Sequence, residues 1–243
     1  MEDEHNIYEK RKGYHLKNLD YREEIVKNKF FSNAKMYEEK QIKDELEVLS
    51  FYLNKETPKL MIQYIPSLNK MTKEERHEII KPIADQWLKA SNIDDELSWD
   101  KNNKPTLNSP KDSISISHSN SYLFMQNIEG DAGCDIDQIV QHSTEEWGEI
   151  LTLNKANYQT VIDQFQENGD NKDVAGTRLW SIQKSIYKAI GYFDGEIELK
   201  FMQDGLAVVA ITQYNQTLEI LSISNKTERG NHFILAYISK GKN

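Results

Sequence analysis

The stretch that decides the fold is Gly133-Cys134-Asp135-Ile136-Asp137, which we interpret as the end of a strand. Aspartates two residues apart on a strand project from the same face, so Asp135 and Asp137 lie close together. Carboxylates held close raise each other's pKa unless a cation neutralises them. A hard divalent ion such as Mg²⁺ could supply that charge. However, two aspartates at this spacing most often belong to a solvent-exposed turn rather than to a metal site.

A helix downstream carries the second group of candidate residues. Residues 178–190 place apolar side chains on one side at helical spacing, and Gly191 suits the C-cap. Trp180, Lys184 and Lys188 are spaced i, i+4 and i+8, so they line one stripe of that helix. Two lysines on one stripe are usually a solvated face, and they could equally bind phosphates.

A third candidate is His118, at the end of a strictly alternating run over residues 113–117. The alternation predicts a half-buried strand. By parity His118 continues the isoleucines of that run, which favours an interior histidine. The alternative is a phosphate or adenine contact, with the hydroxyls of Ser117 and Ser119 assisting. Lys104, before Pro105 in a turn, is a further basic residue.

Composition and charge restrict the function classes. The formal net charge of -9 argues against nucleic acid and anionic membranes as partners. With Cys134 as the only cysteine, a disulfide framework is excluded, and its acidic neighbour disfavours a reactive thiolate, so we predict a small buried side chain. The charged N-terminus lacks an apolar signal region, so we expect a cytoplasmic protein.

The remaining patterns predict a mixed α+β organisation. Thr72 and Glu75 have capping-box spacing at the start of an amphipathic helix, which Pro82 should kink or restart. Residues 113–117 and 121–128 predict a hairpin, and residues 132–136 a third strand. Helical but irregular sequence spans residues 144–168. Four strands come last, at residues 196–203, 206–214, 218–224 and 232–239, the first two joined by an Asp204-Gly205 turn.

Taken in order, four of these pieces resemble the 4'-phosphopantetheinyl transferase superfamily, in its larger two-lobed, surfactin-synthetase-activating type. The pieces are Lys104-Pro105, Ile116-Ser117-His118-Ser119, Gly133-Cys134-Asp135-Ile136-Asp137, and Trp180-Ser181-Ile182-Gln183-Lys184-Ser185-Ile186-Tyr187-Lys188. The resemblance covers about residues 72–239. It implies an α+β fold of two pseudo-symmetric α/β lobes, each a helix packed on a mostly antiparallel sheet. We place a flexible tail at residues 1–13, an N-terminal lobe at 14–128 and a C-terminal lobe at 129–243.

The resemblance also implies a reaction and its residues. These enzymes transfer the 4'-phosphopantetheine arm of coenzyme A to a serine of an apo acyl or peptidyl carrier protein, with Mg²⁺. Carried across, Asp135 and Asp137 would be the metal ligands, and Asp135 and Lys188 the catalytic residues. Lys188 would hold a pyrophosphate oxygen and Lys104 would approach the 3'-phosphate. Ser117 and His118 would contact the coenzyme A phosphates. We expect a monomer.

The sequence departs from the family at the catalytic helix. A gapless alignment puts Gln183 at the expected lysine and Lys184 at the expected glutamate, which is a metal ligand or general base in the family. In such a fold the Lys184 ammonium lies within reach of Asp135 and Asp137 and weakens Mg²⁺ affinity. A second acidic position of the family falls on Asn157.

The sequence therefore leaves three hypotheses open for the function of this chain. The first is an active or slow transferase. The second is a catalytically silent homologue that serves as a carrier-protein-binding or structural partner, with Lys184 in place of the catalytic glutamate. The third is an unrelated α+β binding protein.

Overall fold

The protein is described by a computed structural model that covers residues 58–240, apart from 67, 152–154, 194, 214–215 and 227–230. The predictions for residues 1–57 and for the Asn157 side chain lie outside this part. All the described residues belong to one compact unit, residues 55–243. In chain order the elements are β1 (Lys59–Tyr64), a 3-10 turn (Leu68–Lys70), α1 (Lys73–Ala90), β2 (Ser98–Trp99), β3 (Pro105–Thr106), β4 (Asp112–Ser119), β5 (Tyr122–Glu129), β6 (Cys134–Gln138), α2 (Thr144–Ile150), α3 (Lys155–Glu167), α4 (Lys172–Ile190), β7 (Glu196–Gln203), β8 (Leu206–Gln213), β9 (Gln216–Lys226) and β10 (His232–Lys240).

These strands form three antiparallel sheets within the described part of the chain. The sheet orders are β1-β5-β4, β6-β10-β9-β8-β7 and β2-β3. With the four helices, this arrangement confirms the predicted mixed α+β class. The predicted turn between β7 and β8 is also confirmed, because Asp204 and Gly205 both have positive φ, 50° and 82°.

The helix α1 begins as its sequence predicts. Thr72 and Glu75 form a reciprocal capping box, in which the Glu75 amide donates to Thr72 Oγ1 at 3.2 Å. Of the two predicted effects of Pro82, the restart is wrong, since α1 continues from Lys73 to Ala90, and the kink stays a prediction. Proline removes one backbone donor, but the apolar face of this helix stays buried on both sides of it, at Ile80 and at Ala84.

The helix α4 begins at Lys172, six residues before the predicted start at residue 178. The reason is a helix cap at Asn171 that the sequence analysis did not predict. The side chain of Asn171 accepts from the amides of Asp173 and Val174, at 3.1 and 3.0 Å. Gly191 is confirmed as the C-cap, with φ 79°.

The described residues include two large hydrophobic clusters, beside other buried apolar side chains that belong to neither. The first joins α1 to β1, β4 and β5, and its fully buried members include Leu88 and Leu123. The second joins α2, α3 and α4 to β7–β10, and includes Leu179, Ile182 and Ile220. The strand β6 and its acidic pair lie along the first sheet's edge strand β4, to which side-chain hydrogen bonds join it.

Gly133 determines how closely β6 approaches α4. A Cβ atom built at this position would lie 2.0 Å from the Ser185 carbonyl oxygen and 2.9 Å from Ala189 Cβ. The Gly133 amide donates to the side chain of Gln126 at 3.1 Å rather than to a strand partner. The strand therefore starts at Cys134 and ends at Gln138, two residues later than the predicted 132–136.

Candidate functional site

The acidic pair lies on β6, the edge strand of the five-stranded sheet, beneath the helix α4. Asp135 is fully buried, whereas the Asp137 side chain keeps 26% of its surface exposed. Both carboxylates reach the same lysine of α4, which confirms the prediction that they share a face. Cys134 is buried as predicted, and burial raises the pKa of its thiol to about 12, so it is inert at neutral pH.

Lys184 bridges the two carboxylates. Its Nζ atom lies 3.2 Å from Asp135 Oδ1 and 3.1 Å from Asp137 Oδ2. It also lies 5.7 Å from the ring centroid of Trp180, one turn earlier on the same helix face. This geometry confirms the prediction that Lys184 reaches the acidic pair.

Lys188, one turn further along, is the second ammonium at the pair. Its Nζ atom donates to Asp135 Oδ1 and to the Cys134 carbonyl oxygen, both at 2.9 Å. Its side chain is 29% exposed and that of Lys184 is 32% exposed. The two lysines are therefore not a freely solvated face, which was the simpler alternative for their spacing.

Serines of β4 hold β6 from the other side. Ser117 Oγ donates to Asp135 Oδ1 at 2.8 Å, and Ser115 Oγ accepts from the Cys134 amide at 3.0 Å. Further along, Ser119 Oγ accepts from the Gln138 amide at 3.2 Å. The strand β4 was predicted to bury only its isoleucine face. Ser115 and Ser117 on the opposite face are buried as well, because β6 packs against β4.

The two oxygens of Asp135 have unequal surroundings. Oδ1 accepts from Ser117 and Lys188 and lies beside Lys184. Oδ2 is buried and has no hydrogen-bond partner in the described part of the protein. A buried acceptor without a partner costs free energy, so this carboxylate depends on the charges held at its other oxygen.

The protonation behaviour is set by burial and by these contacts. Burial raises the pKa of Asp137, and the neighbouring Lys184 charge offsets only part of that effect. For Lys184, burial alone would lower the pKa, but the Asp135 and Asp137 carboxylates together raise it above its usual value. The bridging lysine is therefore fully charged at neutral pH.

His118 ends β4 beside this cluster, and its side chain is exposed. The interpretation as an interior histidine is therefore wrong, because the chain turns at Asn120 and leaves the strand end open. Partial desolvation, together with the positive charges of Arg76, Lys188 and Lys184, lowers the pKa of the imidazole below 6.5. His118 is thus neutral at pH 7, and one of its nitrogens can accept a hydrogen bond.

Lys104 is not drawn into the cluster. It lies exposed in the turn between β2 and β3, where its amide donates to Asp100 Oδ1 at 2.8 Å. Among the described residues no ion pair involves its ammonium. The predicted contact of Lys104 with a 3'-phosphate stays a prediction.

Arg178 is a buried residue whose role the sequence did not reveal. Its guanidinium makes two hydrogen bonds to Asp170, at 2.7 and 3.1 Å, and reaches the backbone carbonyls of Ser222 and Gly205, both at 3.0 Å. These contacts fix the first turns of α4 to β9 and to the β7–β8 turn. An arginine at the start of an amphipathic helix carries no sequence signal for such burial, since the partners are distant in the chain.

The donor set does not fit a divalent cation. Both carboxylates are already bonded to ammonium groups at 2.9–3.2 Å, and a dication there would have to displace Lys184. Within residues 58–240, as far as they are described, no group of three or more His, Cys, Asp or Glu side chains could hold a metal ion. We therefore derive no chemical step through Mg²⁺.

Comparison with known proteins assigns no family. No family model matches the chain, and no curated protein matches it significantly. Among the described helices, none combines the length and the apolar character needed to cross a bilayer.

Proposed function

We propose that this chain is a phosphopantetheinyl-transferase-like protein that has lost Mg²⁺-dependent transfer and acts by binding a carrier protein or coenzyme A. The observation that carries the proposal is Lys184, whose ammonium lies where the resemblance expects a carboxylate. It neutralises Asp135 and Asp137 from within the chain. Coulomb repulsion between this ammonium and a dication disfavours the metal that the reaction needs.

The two-lobed arrangement implied by the resemblance belongs to this proposal. Two hydrophobic clusters among the described residues support it, because each unites at least one helix with antiparallel strands. A cytoplasmic monomer is part of the same proposal. A protein partner is supported by Tyr187 and Tyr192, which are 70% and 71% exposed at and just after the C-terminal end of α4, since aromatic side chains are enriched in protein interfaces.

The second candidate is the transferase itself, active without the lost glutamate. It is favoured by the contacts among Asp135, Ser117 and Lys188, three residues that the resemblance assigns to the site and that hydrogen bonds join here. Exposed and neutral, His118 could then accept a proton from an attacking hydroxyl or a bridging water.

A transfer assay separates the two candidates. The protein is incubated with coenzyme A, Mg²⁺ and several apo carrier proteins, and intact mass reveals addition of the phosphopantetheine arm. We expect no addition by the unmodified chain, because Lys184 excludes the metal, and detectable addition by Lys184→Glu. A transferase active on the same carrier proteins is the positive control.

The outcomes have different meanings. Transfer by the unmodified chain would contradict the silent homologue and establish the second candidate. If neither variant transfers, calorimetric titration with coenzyme A and with the carrier proteins asks whether binding survives. Absence of all binding would contradict the proposed function altogether.

A further inference from the structure

The Lys184 ammonium supplies positive charge at the place between Asp135 and Asp137 where a bound cation would lie. Paired carboxylates on an edge strand need positive charge between them, and here one Nζ atom lies within 3.2 Å of both. Lys184 belongs to α4, the helix that packs on β6, so the same helix both covers the strand and carries the positive charge.

The cluster is also organised without any added ligand. Ser117 and Lys188 hold one oxygen of Asp135, at 2.8 and 2.9 Å, while Lys184 joins that oxygen to Asp137. The other oxygen of Asp135 is buried and unpartnered in the described structure. If the Lys184 ammonium were removed, the pair would keep the four oxygens of its two carboxylates, with Lys188 still bonded to Asp135 Oδ1. Carboxylate oxygens are the ligands that a hard dication prefers.

We infer that Lys184 is a built-in replacement for a divalent cation, and that a latent Mg²⁺ or Mn²⁺ site at Asp135 and Asp137 opens when its ammonium is removed. This inference deepens the proposed function and rests on it for the meaning of the site. It implies that the unmodified protein keeps this cluster of carboxylates and lysines formed, and binds its partners, whether or not divalent ions are present.

The test measures metal binding and thermal stability, not transfer. Mn²⁺ is titrated into the full chain, with free Mn²⁺ followed by electron paramagnetic resonance, and melting is compared in EDTA and in Mg²⁺. We expect no saturable Mn²⁺ binding and an unchanged melting temperature for the unmodified protein. Lys184→Glu should bind Mn²⁺ at least about tenfold more tightly, should lose it to excess Mg²⁺, and should melt higher in Mg²⁺ than in EDTA.

Matched variants locate the effect. Adding Asp137→Asn to Lys184→Glu should abolish the gained binding. Lys81→Glu is the control, because Lys81 also lies beside two carboxylates, at 2.9 Å from Asp85 and 3.8 Å from Glu96, but neither of these is fully buried as Asp135 is. The Lys81→Glu protein should gain little Mn²⁺ affinity. If Lys184→Glu does not fold without metal, Lys184→Gln gives the same comparison with a smaller gain.

Two results would overturn the inference. One is Mn²⁺ binding by the unmodified protein as tight as that of the variants. The other is a folded Lys184→Glu or Lys184→Gln protein that gains no affinity. Neither result depends on transfer or on carrier-protein binding, so failure here leaves the proposed function to be judged by its own assay.

Discussion

Replacing Asp170 with alanine should lower the free energy of unfolding by about 3–5 kcal/mol, because it leaves the buried guanidinium of Arg178 without its counter-charge. Arg178 has no exposed surface, and the Asp170 side chain is only 6% exposed. The pair is bidentate, and the remaining guanidinium donors are bonded to Ser222 and Gly205.

Chemical denaturation followed by circular dichroism measures this effect. The matched control is Glu198→Ala, which breaks an ion pair with Lys200 whose side chains are 65% and 48% exposed. An exposed pair contributes only about 0–1 kcal/mol, so the control should unfold close to the unmodified protein. Equal losses for the two variants would contradict the account of Arg178 as a buried anchor of α4.

Gly133→Ala should destabilise the protein by about 1–3 kcal/mol or more, since the added Cβ would collide with backbone. The new carbon would lie 2.0 Å from the Ser185 carbonyl oxygen, which belongs to the middle of α4 and cannot rotate away. Either the strand or the helix must shift. Because Lys188 reaches Asp135 across this same contact, the shift should also loosen the cluster of carboxylates and lysines.

The same unfolding experiment checks this prediction, with Gly148→Ala as the control. At Gly148, in α2, a Cβ would meet only the hydroxyl end of Tyr158, at 3.0 Å, and alanine has the better helix propensity. The control should be close to neutral. A Gly133→Ala protein as stable as the unmodified one would show that β6 and α4 do not approach as closely as described.

Local patterns predicted the elements of the site and one of its contacts. Strand parity placed Asp135 and Asp137 on one face, and helical spacing placed Lys184 and Lys188 on one stripe. Those two periodicities, combined with a family resemblance that docks the helix on the strand, were sufficient to predict that Lys184 reaches both carboxylates. The structure confirms that contact at 3.1–3.2 Å.

The features that the sequence could not predict depend on non-local packing. The serine face of β4 is buried because β6 docks against its edge, and nothing in the alternation of serine and isoleucine signals a second partner. His118 has the parity of the interior isoleucines but lies at a strand end, where the covering core stops. Arg178 and Asp170 are eight residues apart, and in the sequence they resemble ordinary surface charges, although the folded protein buries both side chains.

The early start of α4 illustrates a different kind of error. Asn171 comes after a glycine and an aspartate, a combination typical of turns, and asparagine serves turns and helix N-caps through the same side-chain hydrogen bonds. The choice between a turn and a cap depends on the residues immediately downstream, and here Val174 and Ala175 are buried against the sheet. Tertiary packing therefore decided where the helix begins.

The central claim is that the Lys184 ammonium is bound between two carboxylates inside the protein, and a double-mutant cycle tests it most directly. The free energy of unfolding is measured for the unmodified chain, Lys184→Met, Asp137→Asn and the double variant, at low and at high salt. We predict a coupling free energy of about 1 kcal/mol or more between Lys184 and Asp137, little reduced by salt because both groups are largely covered. Effects that add to within about 0.3–0.5 kcal/mol would contradict the claim, since they would mean that the ammonium does not bind the pair.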